Sequence, residues 1–445
     1  MHIQLSDHFT YSKLIRFTLP SIAMMVFTSI YGMVDGFFVS NFAGETPFAA
    51  VNLIMPVLMI MGTVGFMFGT GGTALVAKTY GEGDIRQANR WFSLFVYSAF
   101  LLGIVLSVLG ILFIRPVAAA LKAEGELLEN CVTYARIILA ALPMYVLQVM
   151  FQSFFVAAEK PGLGLFATVA SGCTNMVLDA VLVMLLPQQY KLAGAAIATA
   201  LSQTVGGVIP LIYFFRPNSS ILRLGKTAFD GRAILRACAN GSSEFMSNIS
   251  MSLVGILYNL QLMKYAGENG ISAYGVMMYV SMIFSAVFIG YTVGIAPVIG
   301  YHDGTGNREE LKGLLRRSLK LIGIFGIVMV LAAELLALPL AKIFVGYNAA
   351  LLAMTVSGFR IFGLSFGFMG FGIFASGFFT ALNDGLTSAL ISFLRTLVFQ
   401  SAAILILPRL LELDGIWISV VVAEFMSVVL GTLFLIGKRK KYQYW

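Results

Sequence analysis

Hydrophobic and polar positions divide this chain into long apolar runs separated by short polar breaks. Twelve runs stand out: 14–40, 48–77, 91–114, 131–157, 163–186, 193–215, 238–263, 271–300, 319–338, 351–382, 386–407 and 416–436. Each reaches the roughly 20 residues that a helix needs to cross a hydrocarbon core. A barrel would show alternating segments of about 10 residues, and a lone strand would leave its backbone unpaired in lipid. The pattern predicts an all-α membrane protein with twelve transmembrane helices.

Composition agrees. Of 445 residues, 59% are hydrophobic and 11% charged, against roughly 25% charged in soluble proteins. Mean hydropathy is +0.89. So few charges would not cover the surfaces of several soluble domains. The charges are also unevenly placed. With both termini in the cytoplasm, 20 Lys and Arg fall on cytoplasmic ends and loops, 5 outside and 4 within the runs. That bias supports an even helix number and cytoplasmic termini. It also absorbs the net charge of +8 without a nucleic-acid partner, since anionic lipid lies on that side. The opening stretch MHIQLSDHFTYSKLIRF lacks the apolar core and cleavage site of a signal peptide. The 3 cysteines, Cys131, Cys173 and Cys238, suggest no disulfide framework, and the 3 histidines, His2, His8 and His302, show no ligand spacing.

The chain repeats itself. Shifted by 223 residues, Ala43–Gly83 matches its second half at 12 of 41 positions without a gap, where chance would give about 3. Six helices per half make the repeats parallel: two six-helix lobes related by a pseudo-two-fold axis along the membrane normal, as in secondary transporters. The expected division is 1–215 for the N-lobe, 216–236 for a cytoplasmic linker and 237–445 for the C-lobe. The linker contains Gly225-Lys226-Thr227, but Ser220 stands where a phosphate-binding loop needs Gly, so no nucleotide is expected.

Polar groups inside the runs are the candidate chemistry. An Asp at the centre of a membrane helix costs about 2.5–3.5 kcal/mol on insertion scales, so function is its default reading. In the fifth run Thr168, Ser171, Asn175 and Asp179 share a helical face, as do Thr28, Tyr31 and Asp35 in the first. Together, Asp35 and Asp179 would hold a proton or Na⁺, because carboxylate and amide oxygens suit a hard cation. Pro20 removes a backbone hydrogen bond and permits a bend in the first helix. In the second half Glu244, Asn248, Arg360, Arg395 and Glu424 are grouped as a C-lobe polar network, while Lys264 and Glu334 are expected to snorkel. The 22 Met and 37 Phe suit a pliable cavity for apolar cations. A channel or a membrane enzyme would need a selectivity ring, a nucleophile–base pair or a metal motif, and none is legible.

Several stretches carry a resemblance: LP in the first helix, YGMVDGFFVSNFAG at its end, YGEGD after the second, Asn175-x-x-x-Asp179 in the fifth and GAAIAT opening the sixth. Together they resemble the MATE (multidrug and toxic-compound extrusion) family, on its MepA-like bacterial branch, over essentially the whole chain. The resemblance implies a bacterial inner-membrane antiporter that exports organic, cationic drugs in exchange for H⁺ or Na⁺ without a cofactor. It implies a monomer with small-molecule substrates and membrane lipid as partners. It places the N-lobe cation site on Asp35, Asn175 and Asp179, with Tyr31, Thr199 and Gln152 in support. The C-lobe departs from the cation-binding pattern of some relatives: Glu244 comes early in its helix, and the tenth run has Arg360 and no Asp before Asp384. The rival reading is a lipid-linked saccharide flippase of the same superfamily, whose members often carry two more helices and a cationic cavity.

Overall fold

A computed structural model describes residues 3–445, so His2 lies outside the described residues. Its first half contains α1 (Tyr11–Phe38), α2 (Glu45–Phe66), α3 (Thr73–Gly81), α4 (Ile85–Ala120), α5 (Gly125–Ala140), α6 (Leu142–Ala157), α7 (Pro161–Leu185) and α8 (Lys191–Phe215). The second half contains α9 (Gly231–Asn240), α10 (Ser242–Thr305), α11 (Arg308–Val345), α12 (Ala349–Gly363), α13 (Phe366–Ala381), α14 (Gly385–Phe393), α15 (Gln400–Ile406) and α16 (Pro408–Tyr442). Wider π-helical turns join α2 to α3 and α14 to α15 into continuous spans.

The crossings follow from length and breaks. Nine helical stretches are long and apolar enough to span, and two bent pairs, α5–α6 at 56° and α12–α13 at 46°, each make one more. α10 is two spans. It has 64 residues and leaves helical geometry at Gly267, with φ 62° and ψ −151°. The rings of Tyr258 and Tyr274 stack at 5.2 Å, although sixteen residues of straight helix would hold them about 24 Å apart. Chain reversal at Gly267 explains both facts and brings the number of crossings to twelve. Gly267 suits the corner because it has no Cβ to resist a positive φ.

The helices form two lobes around separate apolar cores. One core runs from Val39 to Ala237, and the other takes its residues from the second half together with Leu5, Phe9, Leu14, Phe17 and Val156. α9 lies across the expected linker boundary and packs Ala233 and Ala237 into the first core. Its short amphipathic sequence, ten residues long, makes no long apolar run, so the hydropathy pattern did not announce it.

The lobes meet at the end of the bundle that carries the termini and the basic loops. A Cβ on Gly81 would stand 2.1 Å from the Tyr301 carbonyl oxygen, and one on Gly304 would stand 2.1 Å from that of Lys78. These pairs exchange under the 223-residue shift, as contacts across a two-fold axis must. Lys78 Nζ also reaches Asp303 Oδ2 of the other half at 2.9 Å. Farther along, α1 follows the second span of α10 as far as Ser29, whose Oγ lies 3.5 Å from the Met282 carbonyl oxygen. Beyond that point no hydrogen bond or ion pair joins the halves among the described residues. Gly32 and its counterpart Gly255 have nothing within 4 Å of a Cβ position. The bundle is closed at its basic end and parted at the other.

Candidate cation-coupling site

α1 and α7 come together because Gly172 leaves room for two rings. A Cβ there would lie 2.4 Å from Phe27 Cε1 and 2.8 Å from Tyr31 Cδ1. This close approach turns the polar face of α7 inward. Thr168, Ser171, Asn175 and Asp179 are buried, while Val177, Val181 and Met184 on the opposite side are exposed.

A chain of hydrogen bonds climbs that face. Gln148 Nε2 donates to Ser171 Oγ at 3.1 Å, and Ser171 Oγ donates to the Ser202 carbonyl at 2.7 Å. One turn on, Asn175 Nδ2 donates to Thr199 Oγ1 at 3.3 Å, and that hydroxyl donates to Asp35 Oδ1 at 3.3 Å. Asp179 faces Asp35, and the buried Tyr134 lies within electrostatic range of both acids. Asp179 is 0% exposed, yet neither of its carboxyl oxygens has a hydrogen-bond donor, nor has Asn175 Oδ1. The pocket is rich in acceptors and poor in donors. Buried oxygen lone pairs in that condition are costly and call for a cation. Among the described residues no group of three or more His, Cys, Asp or Glu side chains is placed to hold a metal ion. An oxygen-only set of two carboxylates, an amide and a hydroxyl matches the preference of a hard cation or a proton.

Asp35, Asn175, Asp179 and Thr199 therefore come together. Tyr31 packs next to them, where it meets Tyr145 and Gln148. Gln152 sits a turn away, with Nε2 3.4 Å from Thr168 Oγ1. The amide that reaches Tyr31 and Ser171 is Gln148, four residues earlier. Gln148, Tyr145 and Tyr134 escaped the sequence reading because the break after Ala140 turns α6 by 56° relative to α5. Leu142-Pro143, which opens α6, was the signal for that break. Pro20 lies within α1, which runs helical from Tyr11 to Phe38.

The expected C-lobe network does not exist as one unit. Arg395 and Glu424 form a two-pronged pair, Nε–Oε2 2.9 Å and Nη2–Oε1 2.8 Å. Gly372 makes the room for it, since a Cβ there would lie 2.8 Å from Arg395 Cδ. Arg360 instead pairs with Glu334 at 3.7 Å, with both side chains largely exposed. Asn248 turns to its own helix and donates to the Glu244 carbonyl at 2.9 Å. Partners of charges in a bundle are chosen by direction around each helix axis, which a listing of polar residues by run does not give.

The fold and this pocket define a helical membrane protein of two duplicated lobes with an acidic centre in the first. A family model, MatE, matches residues 20–181 and 245–403, one segment in each half, and the chain belongs to that family. It is similar to the "Multidrug export protein MepA" of Staphylococcus haemolyticus (strain JCSC1435), 22% identical over 432 residues, covering 97% of this chain and 94% of that one. Among solved structures it matches "Crystal structure of MATE in complex with MaL6" with a TM-score of 0.92 at 22% identity, covering 98% of both chains. It also matches "Outward-facing conformation of a multidrug resistance MATE family transporter of the MOP superfamily" with a TM-score of 0.92 at 23% identity, covering 98% of this chain and 97% of that one.

Proposed function

We propose that the protein is an antiporter that exports organic, cationic drugs across the bacterial inner membrane in exchange for H⁺ or Na⁺. The observation that carries this reading is the bare acid pair: Asp35 and Asp179 face one another, and the Asp179 oxygens have no donor. A proton or Na⁺ between them relieves that deficit, so the pocket has two states of different charge. The basic end is the cytoplasmic one, which makes the arrangement described here outward-facing. Lobe boundaries at 1–215 and 237–445, joined by 216–236, allow the halves to rock about the linker. In this cycle the outward-facing protein loads a cation onto Asp35 and Asp179, α1 bends near Pro20, and drug leaves. The lobes then rock inward, release the cation and take up drug. The membrane potential contributes about 2.3 kcal/mol per charge per 100 mV, enough to drive accumulation. The MepA name of its relatives supports drugs as the cargo.

Ethidium efflux from vesicles under imposed H⁺ or Na⁺ gradients tests this. Uphill efflux dependent on one gradient is expected. Flux independent of any gradient would mean a channel. Absence of organic-cation flux with movement of lipid-linked sugar would mean the flippase.

A further inference from the structure

A second polar recess lies away from the acid pair, at the basic end, between the start of α4 and the segment that joins the lobes. It encloses about 240 Å³ and is lined by Arg86, Asn89, Arg90, Ser93, Arg223, Gly225 and Lys226. Four of these side chains are cationic and no carboxylate lines the recess. None of the four belongs to an ion pair among the described residues; Arg223 alone has a side-chain bond, from Nη2 to the Asn218 carbonyl at 3.0 Å.

The recess is built rather than incidental. Asn89 Oδ1 accepts from the Arg223 backbone N–H at 2.6 Å, Ser93 Oγ accepts from Gly225 N–H at 3.0 Å, and the Tyr97 hydroxyl donates to the Gly225 carbonyl at 3.1 Å. These bonds lay the joining segment along α4 and hold Arg223 and Lys226 opposite Arg86 and Arg90. The lipid boundary lies close by. Tyr97 and Phe215 place their rings 6.5 Å apart on the outer surface, Leu101 is 62% exposed one turn further into the membrane, and Phe229 is 84% exposed on the joining segment. A surface tyrosine such as Tyr97 marks the headgroup level.

The matching helix lacks the site. Asp84 and Asn307 cap α4 and α11 in the same way, each accepting from the backbone three residues on. Under the same register, Glu309 and Gly313 occupy the places of Arg86 and Arg90.

We propose that this recess binds the phosphate of an anionic membrane lipid in the leaflet at the basic end. Guanidinium forks recognise phosphate oxygens in pairs, and the unpaired charges converge where lipid phosphates lie. Such a lipid would join α4 to the segment between the lobes.

Native mass spectrometry of the full-length protein tests the assignment. The purified protein is titrated with phosphatidylglycerol, with phosphatidylcholine of the same chains, and with inorganic phosphate. Phosphatidylglycerol is expected to bind preferentially. R86Q/R223Q should weaken it on the order of thirtyfold, from about fivefold per charge near the surface. K312Q/R316Q, which removes two exposed charges from α11, should change it far less, because neither residue lines the recess. Arg86→Lys with Arg223→Lys should retain most of the binding. Equal losses in the two glutamine pairs, or equal binding of the two lipids, would overturn the proposal in favour of a diffuse basic surface. Displacement of phosphatidylglycerol by millimolar inorganic phosphate would reassign the recess to a soluble phosphate. If R86Q/R223Q melts earlier than the parent without lipid, R90Q alone repeats the comparison, and unchanged binding there counts against the site.

Discussion

The two lobes have the same helices and opposite electrostatics. α7 and α14 begin at Pro161 and Gly385, and α6 and α13 at Leu142 and Phe366, so both pairs are in one register. That register sets Arg395 opposite Ser171 and Gly372 opposite Gln148. In the C-lobe the guanidinium meets Glu424 in two bonds and its charge is closed off. In the N-lobe the same level holds only neutral donors, Gln148 and Ser171, and the charges lie beyond it on Asp35 and Asp179, with no cation of the protein's own. One half carries its counter-ion in its sequence; the other must borrow one. In the proposed antiport cycle, that difference suits the N-lobe to sense an external ion and the C-lobe to remain fixed.

The largest expected effect makes the N-lobe as silent as its partner. Asp35→Asn or Asp179→Asn should abolish uphill efflux while leaving the protein folded, because an amide of the same shape neither takes up a proton nor supplies the charge that holds a cation. Retained gradient-driven efflux in both variants would remove the acid pair as the coupling site. Binding of a drug to either variant, followed by fluorescence, separates lost coupling from lost cargo affinity.

Next comes the closed pair. Arg395→Met should destabilise the protein by about 3–5 kcal/mol, since it strands Glu424, which is 1% exposed, as a buried charge without a partner. Adding Glu424→Leu should restore most of that loss. The double variant should still couple efflux to its gradient. If it folds and melts like the parent but has lost coupling, the C-lobe pair takes part in transport and the contrast between lobes fails.

Much of this was legible from side-chain spacing. Asp35, Asn175 and Asp179 were identified because charge in an apolar helix is costly and four-residue steps fix a face. What spacing cannot supply is the direction from one helix to the next. Arg360 and Arg395 are expected in one network, yet Arg360 points to Glu334 on α11. The resemblance points to Gln152, which reaches Thr168, whereas the amide on Ser171 is Gln148, one turn earlier on α6. The reversal at Gly267 was legible, because it falls in the polar break between the runs 238–263 and 271–300.

A smaller effect belongs to the loops that tie down the chain ends. Glu159 Oε1 accepts from the Leu5 backbone N–H at 2.7 Å in the N-lobe. Asp384 does the corresponding work in the C-lobe, accepting from the Tyr442 hydroxyl at 2.9 Å with Lys438 at 3.2 Å. Burial pushes the Asp384 carboxyl up, but the bonds from Thr387, Tyr442 and Lys438 outweigh it and hold the group below the usual carboxylate range. A depressed value in the folded state adds stability above the ordinary carboxylate pKa, and that stability is lost as pH falls through the folded value. Asp384→Asn should therefore cost about 1–3 kcal/mol near neutrality and flatten the acid limb of a melting-temperature profile. An unchanged acid limb would show that the tail is held by Tyr444 packing against Phe378 instead.

The smallest change is also the one that tells the two cations apart. Thr199 offers one hydroxyl, which now accepts from Asn175 and donates to Asp35. Aligning Leu192-x-Gly194 of α8 with Leu413-x-Gly415 of α16 places Val420 at its position in the other lobe. Thr199→Val therefore gives the N-lobe the C-lobe's residue with little change of shape. Sodium bound between the acids would use the hydroxyl oxygen as a ligand, and its loss, worth about 1 kcal/mol for one such contact, should raise the Na⁺ concentration for half-maximal efflux about fivefold. A proton needs no such ligand, because it forms its bond to a carboxylate oxygen and is shared with the acid opposite. Under proton coupling the variant should keep its efflux within about twofold at fixed pH, less than the loss of that one contact would cause. Efflux measured against Na⁺ at constant pH, and then against pH without Na⁺, reads both outcomes from one pair of proteins.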